Sequence, residues 1–156
     1  MKQVLIVIDL QKGLKDLFQM DQVVHNVNQL IKTYQRHNLP IIFFQHVDDD
    51  LPSGSESGEL IDDLICPREA LYLKKTRADA FWHTPLESYL RDHQIERLQI
   101  CGAQTDFCID TTIKVAVHLD FQVQVSLNTF TTASNRGLTA KQINYHYYEI
   151  WKTSFF

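Results

Sequence analysis

Cysteine is scarce in this chain and forms no framework. Cys66, Cys101 and Cys108 are odd in number and have neither zinc-ligand nor disulfide spacing. That excludes a disulfide-stapled scaffold and points to a reducing, cytoplasmic setting. Basic runs are missing too. With 15 Lys and Arg against 19 Asp and Glu, the net charge is -4, and no aromatic-basic interleaving offers a footprint for nucleic acid. No apolar segment approaches the length that spans a bilayer, and the first apolar run lacks the form of a cleavable leader. No glycine-rich phosphate loop follows the first strand signal and no acidic pair adjoins Asp9, which argues against phosphoryl transfer. Internal repeats and low-complexity tracts are absent. With nucleic acid and membrane set aside, a small molecule is the expected partner.

What is present suffices for one core. At 156 residues and 44% hydrophobic, the chain is predicted to form a single domain over residues 1–156. Val4 to Ile8 reads as a strand buried on both faces. A helix from about Asp21 to His37 follows, with Val23, Val24, Val27, Leu30, Ile31 and Tyr34 at helical spacing. Ile41 to Gln45 is a second strand. The polar stretch from Asp48 to Arg68, broken by a short Leu60 to Ile65 segment, reads as a lid or rim, and its acidic run as a solvated loop. Leu71 to Leu73 is a third strand running into Lys74 and Lys75. Thr84, Pro85 and Glu87 spell the start of a helix to about His93. Arg97 to Cys101 is a fourth strand, Asp106 to Leu119 a helix, Phe121 to Ser126 a fifth strand, and Thr139 caps a last helix to about Ile150. A sixth strand has only Trp151 to Phe156 to come from. The alternation predicts an α/β fold with a doubly wound, mainly parallel sheet of five or six strands covered on both faces.

In such sheets the chemistry lies outside the carboxyl ends of the strands. Asp9 follows strand one, Gln45 and His46 end strand two, Lys75 follows strand three and Cys108 follows strand four. A thiol at a helix N-terminus is expected to have a lowered pKa, which makes Cys108 a candidate nucleophile. Each residue also has a plainer reading: Cys108 as a packing thiol, Asp9 as a turn former, Lys75 as a surface lysine. Convergence of the three on one sheet edge favours chemistry.

The segments Val-Ile-Asp-Leu-Gln (7 to 11), Lys-Thr-Arg-Ala-Asp-Ala-Phe (75 to 81) and Gly-Ala-Gln-Thr-Asp-Phe-Cys-Ile-Asp-Thr-Thr (102 to 112) together resemble the isochorismatase-like cysteine hydrolases. The resemblance covers nearly the whole chain and implies a three-layer α/β/α sandwich. It also implies a catalytic triad of Asp9, Lys75 and Cys108, an oxyanion hole from the backbone N–H groups of Gln104 and Cys108, and a cis peptide between Ala103 and Gln104. The implied reaction is hydrolysis of a C–N bond in a small amide, ureide or carbamoyl compound through a thioester, with no cofactor and in a homo-oligomer, a dimer or larger. A retained Cys108 favours this over the vinyl ether hydrolysis of isochorismatases proper, the alternative within the family. A non-catalytic binding protein and a redox thiol protein, with Cys101 as resolving partner, remain as alternatives outside it.

Metal-dependent nicotinamidases carry Asp-x-His after strand two. Here His46-Val47-Asp48 reverses that order and no further histidine follows until His83, so no metal is expected. The residues flanking the triad segments, Phe18, His46, Phe81, Trp82 and Phe107, are the expected pocket walls. Asp120 stands where the family often has glycine, a position that an aspartate in a left-handed turn also fits. Asn128 stands where an acidic residue is common.

Overall fold

The run Val4-Leu5-Ile6-Val7-Ile8 lacks polar alternation because both of its faces are covered. In the computed structural model, which describes residues 1–156, it lies in strand β1 (Lys2–Ile8), and all five residues are buried. Val4, Ile6 and Ile8 enter one apolar cluster, Leu5 and Val7 another. Strands β2 (Ile41–His46), β3 (Leu71–Lys75), β4 (Ile95–Ala103) and β5 (Gln122–Gln124) complete the order β3-β2-β1-β4-β5, every neighbour parallel.

Helix α1 (Met20–Arg36) covers the Leu5 and Val7 face with Val23, Val24, Val27 and Ile31. Helices α2 (Leu86–Asp92), α3 (Asp110–His118) and α4 (Ala140–Ser154) supply Leu86, Leu90, Ile113, Ala116 and Trp151 to the other face. The result is the three-layer α/β/α arrangement. From β1 the chain steps through β2 to β3, then returns past β1 to β4 and β5. Right-handed crossovers running in opposite directions place their helices on opposite faces. The β2 to β3 connection has no helix. Instead Leu60, Ile61, Leu64 and Ile65 of the long loop pack into the α1 layer, where a crossover helix would otherwise lie.

Strand order reverses between β1 and β4, so a crevice opens at their carboxyl ends. The two strands can close up there only because residue 102 is glycine. Gly102 has φ 123°, and a Cβ on it would lie 1.9 Å from the Ile8 carbonyl oxygen. After β4 come a cis peptide between Ala103 and Gln104, a π-helical turn (Thr105–Ile109), and α3.

Three local expectations are corrected. The sixth strand is β6 (Phe130–Thr131), paired with Gly102 and Ala103 of β4, and not residues 151 to 156. Ile143, Tyr147 and Trp151 share one face of α4 at spacings of four, and the buried Trp151 donates through Nε1 to Asp110 Oδ1 at 2.9 Å, so burial keeps the segment helical. Thr84 lies one residue before the cap position of α2, which Pro85 takes, and its hydroxyl both donates to the Ala80 carbonyl at 2.6 Å and accepts from Leu86 N–H at 3.4 Å. The segment after β4 opens as a π turn and not as an α-helix, with the Gln104 carbonyl accepting from the N–H groups of Phe107 and Ile109. By contrast Thr139 forms a full capping box with Gln142, and Asp120 takes up the left-handed turn with φ 65°.

Candidate active site

Asp9 is the first residue beyond β1. Its φ of 53° is left-handed, a conformation that aspartate tolerates better than most residues. Its N–H donates to the Phe44 carbonyl at 3.0 Å and its own carbonyl accepts from Gln11 N–H at 2.9 Å, which fixes the turn and leaves the carboxylate buried at the crevice. Lys75 ends β3, two strands away, and its long side chain reaches back past β2. Its Nζ lies 2.8 Å from Asp9 Oδ2 and 3.1 Å from Cys108 Sγ, with the lysine side chain fully buried. Cys108 hangs from the π turn that follows β4. Asp9 Oδ1 is a buried oxygen with no hydrogen-bond partner in the protein.

Burial governs the protonation of this cluster. It raises the Asp9 pKa above the ordinary carboxylate value, with the charge of Lys75 working against it. It pushes the Cys108 thiol up to about 12, helped by the negative charge of Asp9 and opposed by Lys75. The expectation of a low thiol pKa at a helix terminus is thereby overturned. The dipole of a short turn contributes about 0.3–1 kcal/mol, whereas removing a group from water can shift its pKa by several units. Cys108 therefore rests as a neutral thiol beside a carboxylate of enhanced basicity.

A cleft of about 660 Å³ opens over Asp9 and Cys108, with Leu14, His46, Asp48, Leu51, Arg77 and Phe107 in its wall. Of the expected pocket residues, His46 and Phe107 are there and three are not. Phe18 lines a separate groove with Leu127 and Tyr145. Phe81 stacks on Phe121 with centroids 6.1 Å apart in the core, and Trp82 stacks on His83 at the surface. The cause is the course of the chain after Ala78. Thr112 Oγ1 accepts from Ala80 N–H at 3.1 Å and lies 3.3 Å from the Ala78 carbonyl, which docks the segment on α3 and away from the cleft. A second cleft, of about 540 Å³, lies at the amino ends of the strands around Lys2, Leu39 and His93, at the far end of the sheet from the thiol.

Leu14, Leu51 and Arg77 escaped the sequence reading. Arg77 had a signal, two positions beyond Lys75. Leu14 and Leu51 had none, because they meet only when the long loop folds back. Gly13 N–H donates to the Ser57 carbonyl, Lys12 N–H to that of Glu59 and Ile61 N–H to that of Leu10. The acidic run is not merely solvated either, since Asp48 and Asp50 line the cleft. Donor atoms of Asp9, His46 and Cys108 lie within 4.8 Å of one another. The Lys75 ammonium stands among them at 2.8 to 3.1 Å.

The sequence profile of the isochorismatase domain matches residues 3–145. The chain belongs to the isochorismatase family. Within this hydrolase family it is 29% identical over 150 residues to the protein YwoC of Bacillus subtilis, covering 83% of this chain and 79% of that one. It is 33% identical over 105 residues to a probable inactive nicotinamidase of Arabidopsis thaliana, covering 67% of this chain and 51% of that one. A crystal structure of an isochorismatase family protein superposes with a TM-score of 0.95 at 38% identity, covering 98% and 95% of the two chains. The N-carbamoylsarcosine amidase of Thermoplasma acidophilum shares the fold with a TM-score of 0.81 at 20% identity, covering 99% and 92%. No helix of this isochorismatase-family chain is long and apolar enough to cross a membrane.

Proposed function

We propose that this protein is a cysteine-dependent amidohydrolase that cleaves the C–N bond of a small amide, ureide or carbamoyl compound, with Asp9, Lys75 and Cys108 as its catalytic residues. The observation that carries the reading is the buried Lys75 ammonium in contact with both the Asp9 carboxylate and the Cys108 sulfur. Asp9 takes the thiol proton as Cys108 Sγ forms a bond to the substrate carbonyl carbon. Lys75 compensates the negative charge that this leaves on sulfur, and the backbone N–H groups of Gln104 and Cys108 receive the oxyanion. The C–N bond then breaks, the leaving nitrogen takes the proton from Asp9, and a thioester remains. Water adds to the thioester with Asp9 accepting its proton, the C–S bond breaks, and sulfur takes that proton from Asp9, which restores the thiol and the carboxylate.

A neutral resting thiol suits this sequence, because the proton moves only as the new bond forms. The redox alternative loses its partner. Cys101 is fully buried in the cluster on the α1 face, its sulfur donating to the Ile6 carbonyl at 3.6 Å, whereas Cys108 packs against the opposite cluster. The cleft walls carry Arg77 beside Asp48 and Asp50, which favours a small polar substrate over a long apolar one.

Ammonia or amine release from a panel of small amides, ureides and carbamoyl amino acids, compared between the wild type and Cys108→Ala, tests the reading. Turnover by the wild type and none by the variant is expected. Turnover that survives Cys108→Ala would exclude the thioester, and conversion of isochorismate without amide cleavage would move the protein to the ether-hydrolysing branch.

A further inference from the structure

Lys75 faces four acceptors with three hydrogens. Besides Asp9 and Cys108, its Nζ lies 3.0 Å from His46 Nδ1 and 3.0 Å from the Arg77 carbonyl oxygen. An ammonium group only donates. His46 Nδ1 is therefore the acceptor, and the imidazole is neutral with its hydrogen on Nε2. That second nitrogen stands 3.2 Å from Asp48 Oδ2, so Asp48 selects the tautomer that can receive Lys75.

Both ends of this relay are tied down. Asp48 Oδ1 accepts from the backbone N–H groups of Asp50 and Leu51 at 2.9 and 2.8 Å. Gln11, fully buried, accepts the His46 N–H through Oε1 at 2.9 Å and donates through Nε2 to the carbonyls of His46 and Gly58 at 2.9 and 3.0 Å. The imidazole thus reaches Lys75 from a backbone clamped on both sides.

We propose that His46, oriented by Asp48, is a positioning residue that holds the Lys75 ammonium between Asp9 and Cys108. The inference rests on the triad reading above and adds to it a relay running from the long loop to the lysine. As Cys108 loses its proton, sulfur becomes the stronger acceptor, and the hydrogen that Lys75 shared with His46 and the Arg77 carbonyl passes to it without any proton leaving nitrogen. A doubly protonated His46 would do the opposite. It would present an N–H to an ammonium 3.0 Å away, losing the bond and placing two positive charges side by side. The charged groups around the ring are Lys75 from β3, Asp9 beyond β1, Asp48 and Asp50 from the loop and Arg77 after β3, with the titratable Cys108 from the π turn. The relay functions only with a neutral ring.

Nitrogen-15 NMR of the intact labelled protein, with the His46 ring assigned by its loss in His46→Asn, reads the tautomer directly. A hydrogen on Nε2 at neutral pH, with an Nδ1 signal that moves in Lys75→Met, is expected. A hydrogen on Nδ1, or an Nδ1 signal indifferent to Lys75→Met, would overturn the relay. On whichever amide the ammonia panel identifies, His46→Leu is expected to lower kcat on the order of ten- to hundredfold with KM little changed, the scale of a displaced catalytic group. His46→Asn offers an oxygen near the Nδ1 position. It is expected to recover much of that loss. Equal losses in both variants would count against the proposal. Activity surviving in Cys108→Ala would sink the thiol reading while leaving the NMR result to judge the contact between Lys75 and His46.

Discussion

Asp9 raises the proton affinity of Cys108, and that coupling separates two roles a carboxylate can have beside a thiol. Its charge hinders thiolate formation, since the negative Asp9 is one cause of the raised Cys108 pKa. Its basicity assists the reaction, since it is the group that takes the proton. Asp9→Asn removes both at once with opposite consequences. Turnover is expected to fall by about 10²–10⁴, the usual worth of a positioned base. Alkylation of Cys108, followed by peptide mass spectrometry against pH, is expected to set in at lower pH than in the wild type. Lys75→Met is expected to shift it higher, because the opposing positive charge is gone. Alkylation moving upward in Asp9→Asn would mean that the carboxylate does not bear on the thiol as described.

Two elements carry the crevice, and each depends on one residue. At Gly102 the neighbouring strand leaves no room for a Cβ and φ is positive, so Gly102→Ala is expected to cost on the order of 3–5 kcal/mol, in the exceptional class of point mutations. Gly54 also has a positive φ, of 79°, but open space around it, and Gly54→Ala is expected to cost only about 1 kcal/mol. Urea denaturation of the two variants checks the contrast, and equal losses would mean that steric approach at β1 and β4 is not what residue 102 provides. Trp151 ties α4 to α3 through Asp110. Trp151→Ala should lose about 3–5 kcal/mol, the range for a large buried aromatic, whereas Trp151→Phe keeps most of the packing and loses mainly the hydrogen bond, about 1–3 kcal/mol for a charged partner. A Trp151→Phe loss as large as that of Trp151→Ala would place the stabilisation in the hydrogen bond.

Across the whole molecule, burial of thiols sets the alkaline limit of stability. Cys101 and Cys108 are both raised above their ordinary value of 9.0, and Tyr34 is raised to about 12, in each case chiefly by burial. Above about pH 9 the unfolded chain has released thiol protons that the native protein keeps, so the unfolded state binds fewer protons and stability falls as pH rises. The fall continues to about pH 12, where native Cys108 itself ionises. Denaturant midpoints compared at about pH 8 and about pH 10.5 are expected to drop, and to drop less in Cys101→Ala, which removes one of the buried thiols. Identical drops in the variant and the wild type would show that Cys101 contributes nothing to the limb.

Much of this protein was legible along the chain. An unbroken apolar run means a strand covered twice, helical spacing from Val23 to Tyr34 means a buried face of α1, and Thr139 with Gln142 means a cap, because each depends on neighbours in sequence. The doubly wound topology then follows from handedness, and with it the edge to which Asp9, Lys75 and Cys108 come. Only the tertiary structure decided the rest. The thiol pKa depends on how much water the fold removes, and the sixth strand on where β4 still had free edge. Phe81 and Trp82 leave the cleft because Thr112, more than thirty positions away, holds their segment on α3. The cleft wall and the partners of His46 arise where the loop after β2 folds back on the turn after β1. Contacts of that kind have no periodicity to betray them, since the residues that meet share no element and no spacing.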